Sequence, residues 1–126
     1  MIKLKRVYDP IASTDGIRFL VERLWPRGLK KKDLHADAWL KDVAPSSALR
    51  GWFGHDPKKW REFRRRYFRE LSATPAAVDS ILNAAQTRSV TLLYSSHDTK
   101  HNNAAALKDY LEARISKKRL PRKQVA

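Results

Sequence analysis

The chain contains no cysteine, which excludes disulfides, thiolate metal centres and a cysteine nucleophile and fits a reducing, cytoplasmic setting. No apolar run approaches the roughly 20 residues of a membrane span, so no membrane association is expected. The opening Met1-Ile2-Lys3-Leu4-Lys5 lacks the apolar core of a signal peptide. There is no internal repeat and no linker between domains. Acidic residues are scarce, 13 Asp+Glu against 27 Lys+Arg, leaving a formal charge of +14. Charge of that size points to anionic partners, either nucleic acid or a small phosphorylated ligand, or else only aids solubility. What is present suits one packed domain: 126 residues, 42% of them hydrophobic. Residues 1–120 are read as that domain, and 121–126 as a mobile basic tail.

The chain is organised around Phe19-Leu20-Val21-Glu22-Arg23-Leu24-Trp25-Pro26-Arg27-Gly28. Its apolar first half suggests a strand covered on both faces. Pro26 cannot donate to a ladder and Gly28 permits unusual backbone angles, so the strand should stop there. Arg23 and Arg27 would then stand at its carboxyl end, where open α/β sheets bind ligands.

Taken in order, Ile2, Leu4 and Tyr8 mark a first strand ended by Asp9-Pro10, and Ile17 to Trp25 a second. A hairpin or a longer parallel crossover could join them; the short connection favours antiparallel pairing if they are neighbours. Asp33 to Ala44 reads as a helix capped by Asp33 or Asp37, with Ala36, Trp39, Leu40 and Val43 at helical spacing. Ser46 caps a short helix carrying Leu49, Trp52 and Phe53. Asp56-Pro57 is the best helix start in the chain, followed by the stripe Trp60, Phe63, Tyr67 and Leu71. The opposite face carries seven cations against Glu62 alone. Thr74-Pro75 opens another helix, Val90 to Tyr94 reads as a central strand, and Ala104, Leu107, Leu111 and Ile115 mark the last helix. The fold class is therefore α/β: a small single domain with a mostly parallel or mixed sheet of three to four strands and helices packed on it.

The motifs Arg6-Val7-Tyr8-Asp9, Gly16-Ile17-Arg18, Leu20 through Leu29, Ala44-Pro45-Ser46, Leu49-Arg50, His55-Asp56-Pro57, Trp60, Phe63, Tyr67, Glu70-Leu71, Leu92-Leu93-Tyr94 and Asn102-Asn103-Ala104 fall in a distinctive order. In this the chain resembles the YeaO-like family of bacterial domains of unknown function, over roughly residues 3 to 112. The resemblance implies a small α/β domain and carries over no activity. The family pattern has Asp where Glu22 stands here, a departure that keeps the charge.

Two segments should meet at the carboxyl edge if the strands run parallel. One is Arg23, Trp25, Arg27 and Gly28; the other runs from Ser95 to Asn103 and leads into a helix. Arginine offers planar bidentate donors, and a helix start offers free N–H groups. Arg23, Arg27, Gly28, Ser96, Asn102 and Asn103 are the candidate anion-binding set. The plainer alternative makes Asn102 or Asn103 an N-cap and pairs the arginines with Asp9, Glu22 or Asp98. His97, His55 and Asp98 are the candidate acid and base groups. Residues 97–101 read as loop and offer no third ligand, so no metal is expected, and no cofactor. Tyr67 belongs to the core stripe, with a hydroxyl that could reach Arg23 or Arg27.

Two readings follow. One is a pocket acting on a nucleotide or nucleic-acid substrate. The alternative is a non-catalytic nucleic-acid-binding protein, with Trp25 stacking on bases and Arg61, Arg64, Arg65, Arg69, Lys117, Lys118 and Arg119 on phosphates.

Overall fold

The computed structural model describes residues 1–119. Four strands form: β1 (Ile2–Arg6), β2 (Ile17–Leu20), β3 (Ala38–Trp39) and β4 (Val90–Tyr94). They lie in the order β1-β4-β2-β3, and every pairing is parallel. The sheet is thus wholly parallel, the first of the two expected forms. β1 and β2 are not neighbours: β4, completely buried, sits between them. A continuous apolar run is what a strand covered on both faces requires.

Alternation along the strands divides the core. Phe19, Val21, Val90, Leu92 and Tyr94 face the larger cluster. There they meet α2 (Ser47–Phe53), α3 (Trp60–Ala73), α4 (Asp79–Thr87) and α5 (Asn103–Arg119), through Leu49, Phe63, Tyr67, Ile81 and Leu107 among others. Leu20 and Leu93 face the opposite way, into a smaller cluster with Val7 and Leu34, flanked by Trp25 and Trp39. That second face also buries a polar group. Asp15 pairs with Arg18 and Lys5, and its backbone oxygen accepts from Thr91. Burial raises the Asp15 pKa, but hydrogen bonds from Lys5, the Ala12 N–H and Arg18 outweigh it and hold the carboxyl at about 2.

Three local expectations are corrected. The second strand ends at Leu20 rather than Trp25, although the Val21 N–H still reaches Leu93 O. Asp33 to Ala44 is not one helix. It forms α1 (Lys31–Leu34), β3 and a 3₁₀ turn, Lys41–Val43. The cause is Arg18. Its guanidinium takes the Leu34 and His35 carbonyls, which ends α1, while its backbone exchanges bonds with the Asp37 carboxylate and N–H. Asp37 therefore docks a strand instead of capping a helix. The basic face of α3 is also better neutralised than its own sequence suggests, because Asp109 of α5 reaches Arg64 at 2.9 Å.

Other signals read correctly. The Ser46 hydroxyl caps α2 through the Leu49 N–H. Asp56 caps a 3₁₀ turn, Pro57–Lys59, that runs into α3. No described helix is long and apolar enough to cross a membrane. The proposed tail, 121–126, lies outside the described residues.

Candidate functional site

Parallel strands send their carboxyl ends to one edge, and β2 and β4 are adjacent there. The chain leaving β2 carries Glu22; the chain leaving β4 carries Ser95 and Ser96 before turning into α5. Together with α2, the segment after it and the first turns of α3, they enclose a cavity of about 330 Å³. Phe53 and Phe63 give it an apolar floor, their rings stacked at 4.3 Å between centroids. Glu22, Arg50, His55, Ser96, His101 and Asn103 are among its polar lining groups.

Glu22 is held from one side. Its Oε1 accepts the Ser95 N–H at 2.9 Å and the Ser95 hydroxyl at 3.2 Å, while Oε2 has no partner among the described residues. Burial raises the Glu22 pKa above its ordinary value; the Ser95 donors, then the charges of Arg50 and His55, pull against that. A half-satisfied carboxyl group in a cleft can accept from a ligand, or donate to it when protonated. The Arg50 side chain has no hydrogen bond or ion pair among the described residues. His55 has a left-handed backbone, φ 57°, directly after Gly54 at φ 54°. Gly54 is the C-cap glycine of α2; the left-handed backbone of His55 is uncommon for a side chain this large and places its imidazole in the cavity lining.

The turn before α5 is tightly organised. Asp98 accepts from the Lys100 and His101 N–H groups and from His101 Nδ1. Those bonds, the His101 N–H first, hold its pKa at about 2. Asn102 caps α5 through the Ala105 N–H at 2.8 Å, and Asn103 Nδ2 donates to Val21 O at 2.7 Å. His101 meets the edge of Trp60 at 5.4 Å.

Of the residues singled out in the sequence, His55, Ser96, Asn102 and Asn103 line the cavity; Arg23, Arg27, Gly28, His97 and Asp98 do not. The Arg23 guanidinium donates to the Ala44 and Pro45 carbonyls, fastening the chain after β2 to the start of α2. Arg27 and Gly28 are exposed. His97 is exposed too, with Nδ1 3.4 Å from Arg6 Nη2. Trp25 is half-buried, donating to Leu29 O and packing edge-on against Trp39 at 5.3 Å. The Tyr67 hydroxyl donates to Val43 O rather than meeting either arginine. Arg65 pairs with Glu62, whereas Arg61 and Arg69 are exposed. Lys117 is exposed near the end of α5; the side chains of Lys118 and Arg119 lie outside the described set.

The family model described as the inactive DUF488-N3 subclade matches residues 1–125. The chain belongs to this family. Among its relatives, the uncharacterized protein YeaO of Escherichia coli K12 is 42% identical over 112 residues, 89% of this chain and 97% of that one. The uncharacterized protein Rv3073c of Mycobacterium tuberculosis H37Rv is 37% identical over 113 residues, 90% and 95% of the two chains. These matches bear out the YeaO-like resemblance. No solved structure gives a significant match.

Two cavity residues, Glu22 and Arg50, were not candidates from sequence. Glu22 carried a signal, a carboxylate closing an apolar strand. Arg50 carried no chemical signal, because the group it faces is Glu22 beyond the end of β2, and the intervening 27 residues hold no regular pattern linking them.

Proposed function

We propose that this domain binds a small nucleotide-like anion in the cavity at the carboxyl ends of β2 and β4, and does not turn it over. The observation that carries the reading is that one cavity is lined both by an arginine that forms no ion pair among the described residues and by a carboxyl group with one oxygen unpartnered among them. Arg50 supplies the fork that suits phosphate. His55 lines the same cavity. Glu22 Oε2 suits a hydroxyl or amine on the same molecule, and Phe53 and Phe63 give an apolar surface for a ring. A volume of about 330 Å³ is at the small end for ligand pockets, which suits a mononucleotide better than a larger cofactor.

Two observations support binding over catalysis. Among the described residues no serine hydroxyl is hydrogen-bonded to a histidine ring, so a serine nucleophile has no adjacent base. The family itself is described as inactive.

Calorimetric titration with adenosine 5′-monophosphate, adenosine and inorganic phosphate tests the reading. The nucleotide should bind more tightly than either fragment, and Arg50→Ala should weaken it about ten-fold, roughly 1.4 kcal/mol. Absence of binding by all three at millimolar concentration would overturn it.

A further inference from the structure

The cavity leaves the largest feature of the composition, a charge of +14, without a role. Part of that charge is gathered along the seam between α3 and α5. The two helices run side by side in one direction: Trp60 meets His101 near their starts, and Phe68 and Ser72 meet Tyr110 further along. On α3 the helix period puts Arg61, Arg65, Phe68 and Ser72 on one face. On α5 it groups Tyr110, Arg114 and Lys117 in the same way. Phe68 and Tyr110, 5.6 Å apart between ring centroids, join the two faces into one surface. Arg64 lies over the Phe68 ring at 5.0 Å, and Arg114 over the Tyr110 ring at 6.0 Å. Asp109 pairs with Arg64 and Glu62 with Arg65. Arg61, Arg114 and Lys117 form no ion pair among the described residues.

Arg61 stands near one end of the seam and Arg114 and Lys117 near the other, roughly 20 Å apart by the helical rise. A small anion cannot touch both ends. A nucleic-acid duplex, with a charge about every 1.7 Å of its axis, can. Both rings are half-buried and already carry a guanidinium over a face, so they support the arginines rather than offer platforms for unpaired bases. An anionic membrane fits less well, because the exposed large apolar side chains among the described residues, Met1, Tyr8, Ile11 and Leu24, all lie outside α3 and α5. We propose that the α3–α5 seam binds the phosphate backbone of a nucleic-acid duplex without reading its sequence. This surface is separate from the cavity and does not depend on what the cavity holds.

The test is fluorescence anisotropy of the full chain with a labelled DNA duplex of about 20 base pairs. The triple variant Arg61→Ala, Arg114→Ala, Lys117→Ala should lose at least about ten-fold in affinity and flatten the salt slope by about two to three, since each phosphate contact contributes roughly 0.9. Arg61→Ala and Lys117→Ala alone, both at exposed positions, should each lose about two- to four-fold, and they carry the test if the triple variant does not fold. A control removes the same charge elsewhere: Lys30→Ala, Lys31→Ala, Lys32→Ala, also exposed, should lose less than about three-fold. If the control loses as much as the seam variant, net charge rather than the seam does the binding and the proposal falls. Arg50→Ala should leave duplex affinity unchanged; a loss as large as at the seam assigns the duplex to the cavity and overturns it. Unlabelled single strand of the same length, polyglutamate and phosphatidylserine vesicles should each compete at least about ten-fold less well than unlabelled duplex. Equal competition by any of them, or no duplex binding at about 50 mM salt, overturns the proposal.

Discussion

Glu22 and Ser95 leave neighbouring parallel strands and grip one another: one carboxylate oxygen accepts both the backbone N–H and the hydroxyl of the serine, at 2.9 and 3.2 Å. The bond ties the two chain segments that open the cavity and sets which oxygen of Glu22 is left over.

The titration of Glu22 should be visible in stability. Its folded pKa is raised by burial above the ordinary 4.5. Between those two values the native state holds more protons than the unfolded one, so unfolding free energy falls as pH rises through that window and levels off above it. Glu22→Gln keeps an oxygen for the Ser95 N–H and removes the titration, so its melting curve against pH should lose that descending limb. A variant whose pH profile stays parallel to the parent counts against the raised value. Glu22→Ala, which strands the Ser95 N–H, should cost about 1–3 kcal/mol at any pH.

Arg23 and Arg50 should separate stability from binding. Arg23 satisfies two backbone carbonyls, so Arg23→Ala should lower stability by about 1–3 kcal/mol. Arg23→Lys should recover only part of that, because an ammonium cannot reproduce the planar fork. Arg50→Ala should leave stability within about 0.5 kcal/mol while weakening nucleotide binding. Denaturant melts read alongside calorimetry decide the matter; a stability loss at Arg50 as large as at Arg23 would contradict the division.

Gly16 cannot be replaced. Its φ is +67°, and a Cβ there would lie 2.1 Å from the Ser89 carbonyl oxygen, the same oxygen that accepts the Ile17 N–H. Gly16→Ala should therefore destabilise by more than about 2 kcal/mol, through backbone strain and displacement of the junction between β2 and β4. A melting temperature unchanged by this substitution would show that the junction yields more easily than the geometry implies.

His55 has a conformation that glycine would adopt without strain. His55→Gly should hold or raise stability, by up to about 1 kcal/mol, and weaken nucleotide binding at the same time. Paired thermal melts and titrations test this, and unchanged affinity would remove His55 from the site.

The sequence was most readable where one local rule decided the outcome. Val90 to Tyr94 needed only its apolar run, and Ser46, Asp56 and Pro57 only their capping chemistry. It misled where a distant side chain overruled the local pattern. Residues 33–44 have helical spacing, but the Arg18 guanidinium and the Asp37 carboxylate dock that segment beside β2. The site divides in the same way. His55, Ser96, Asn102 and Asn103 could be found because they adjoin recognisable helix starts or strand ends. Arg23, closing an apolar strand, has the stronger sequence signal of the two arginines, yet the carbonyls of Ala44 and Pro45 make it the structural one, while Arg50 has no side-chain partner among the described residues.

The middle position of β4 fixes when the molecule can assemble. β1 has no partner until Val90 arrives opposite Ile2, and β2 reaches β1 only through that late strand. A ribosome releasing this chain exposes β1 without a strand partner, and the inner edge of the β2–β3 pair, through most of synthesis, and folding waits for the closing of a very long loop. Truncation ahead of residue 94 would leave an assembly with nothing to join its halves, so fragments of this domain should fail to fold instead of folding in part.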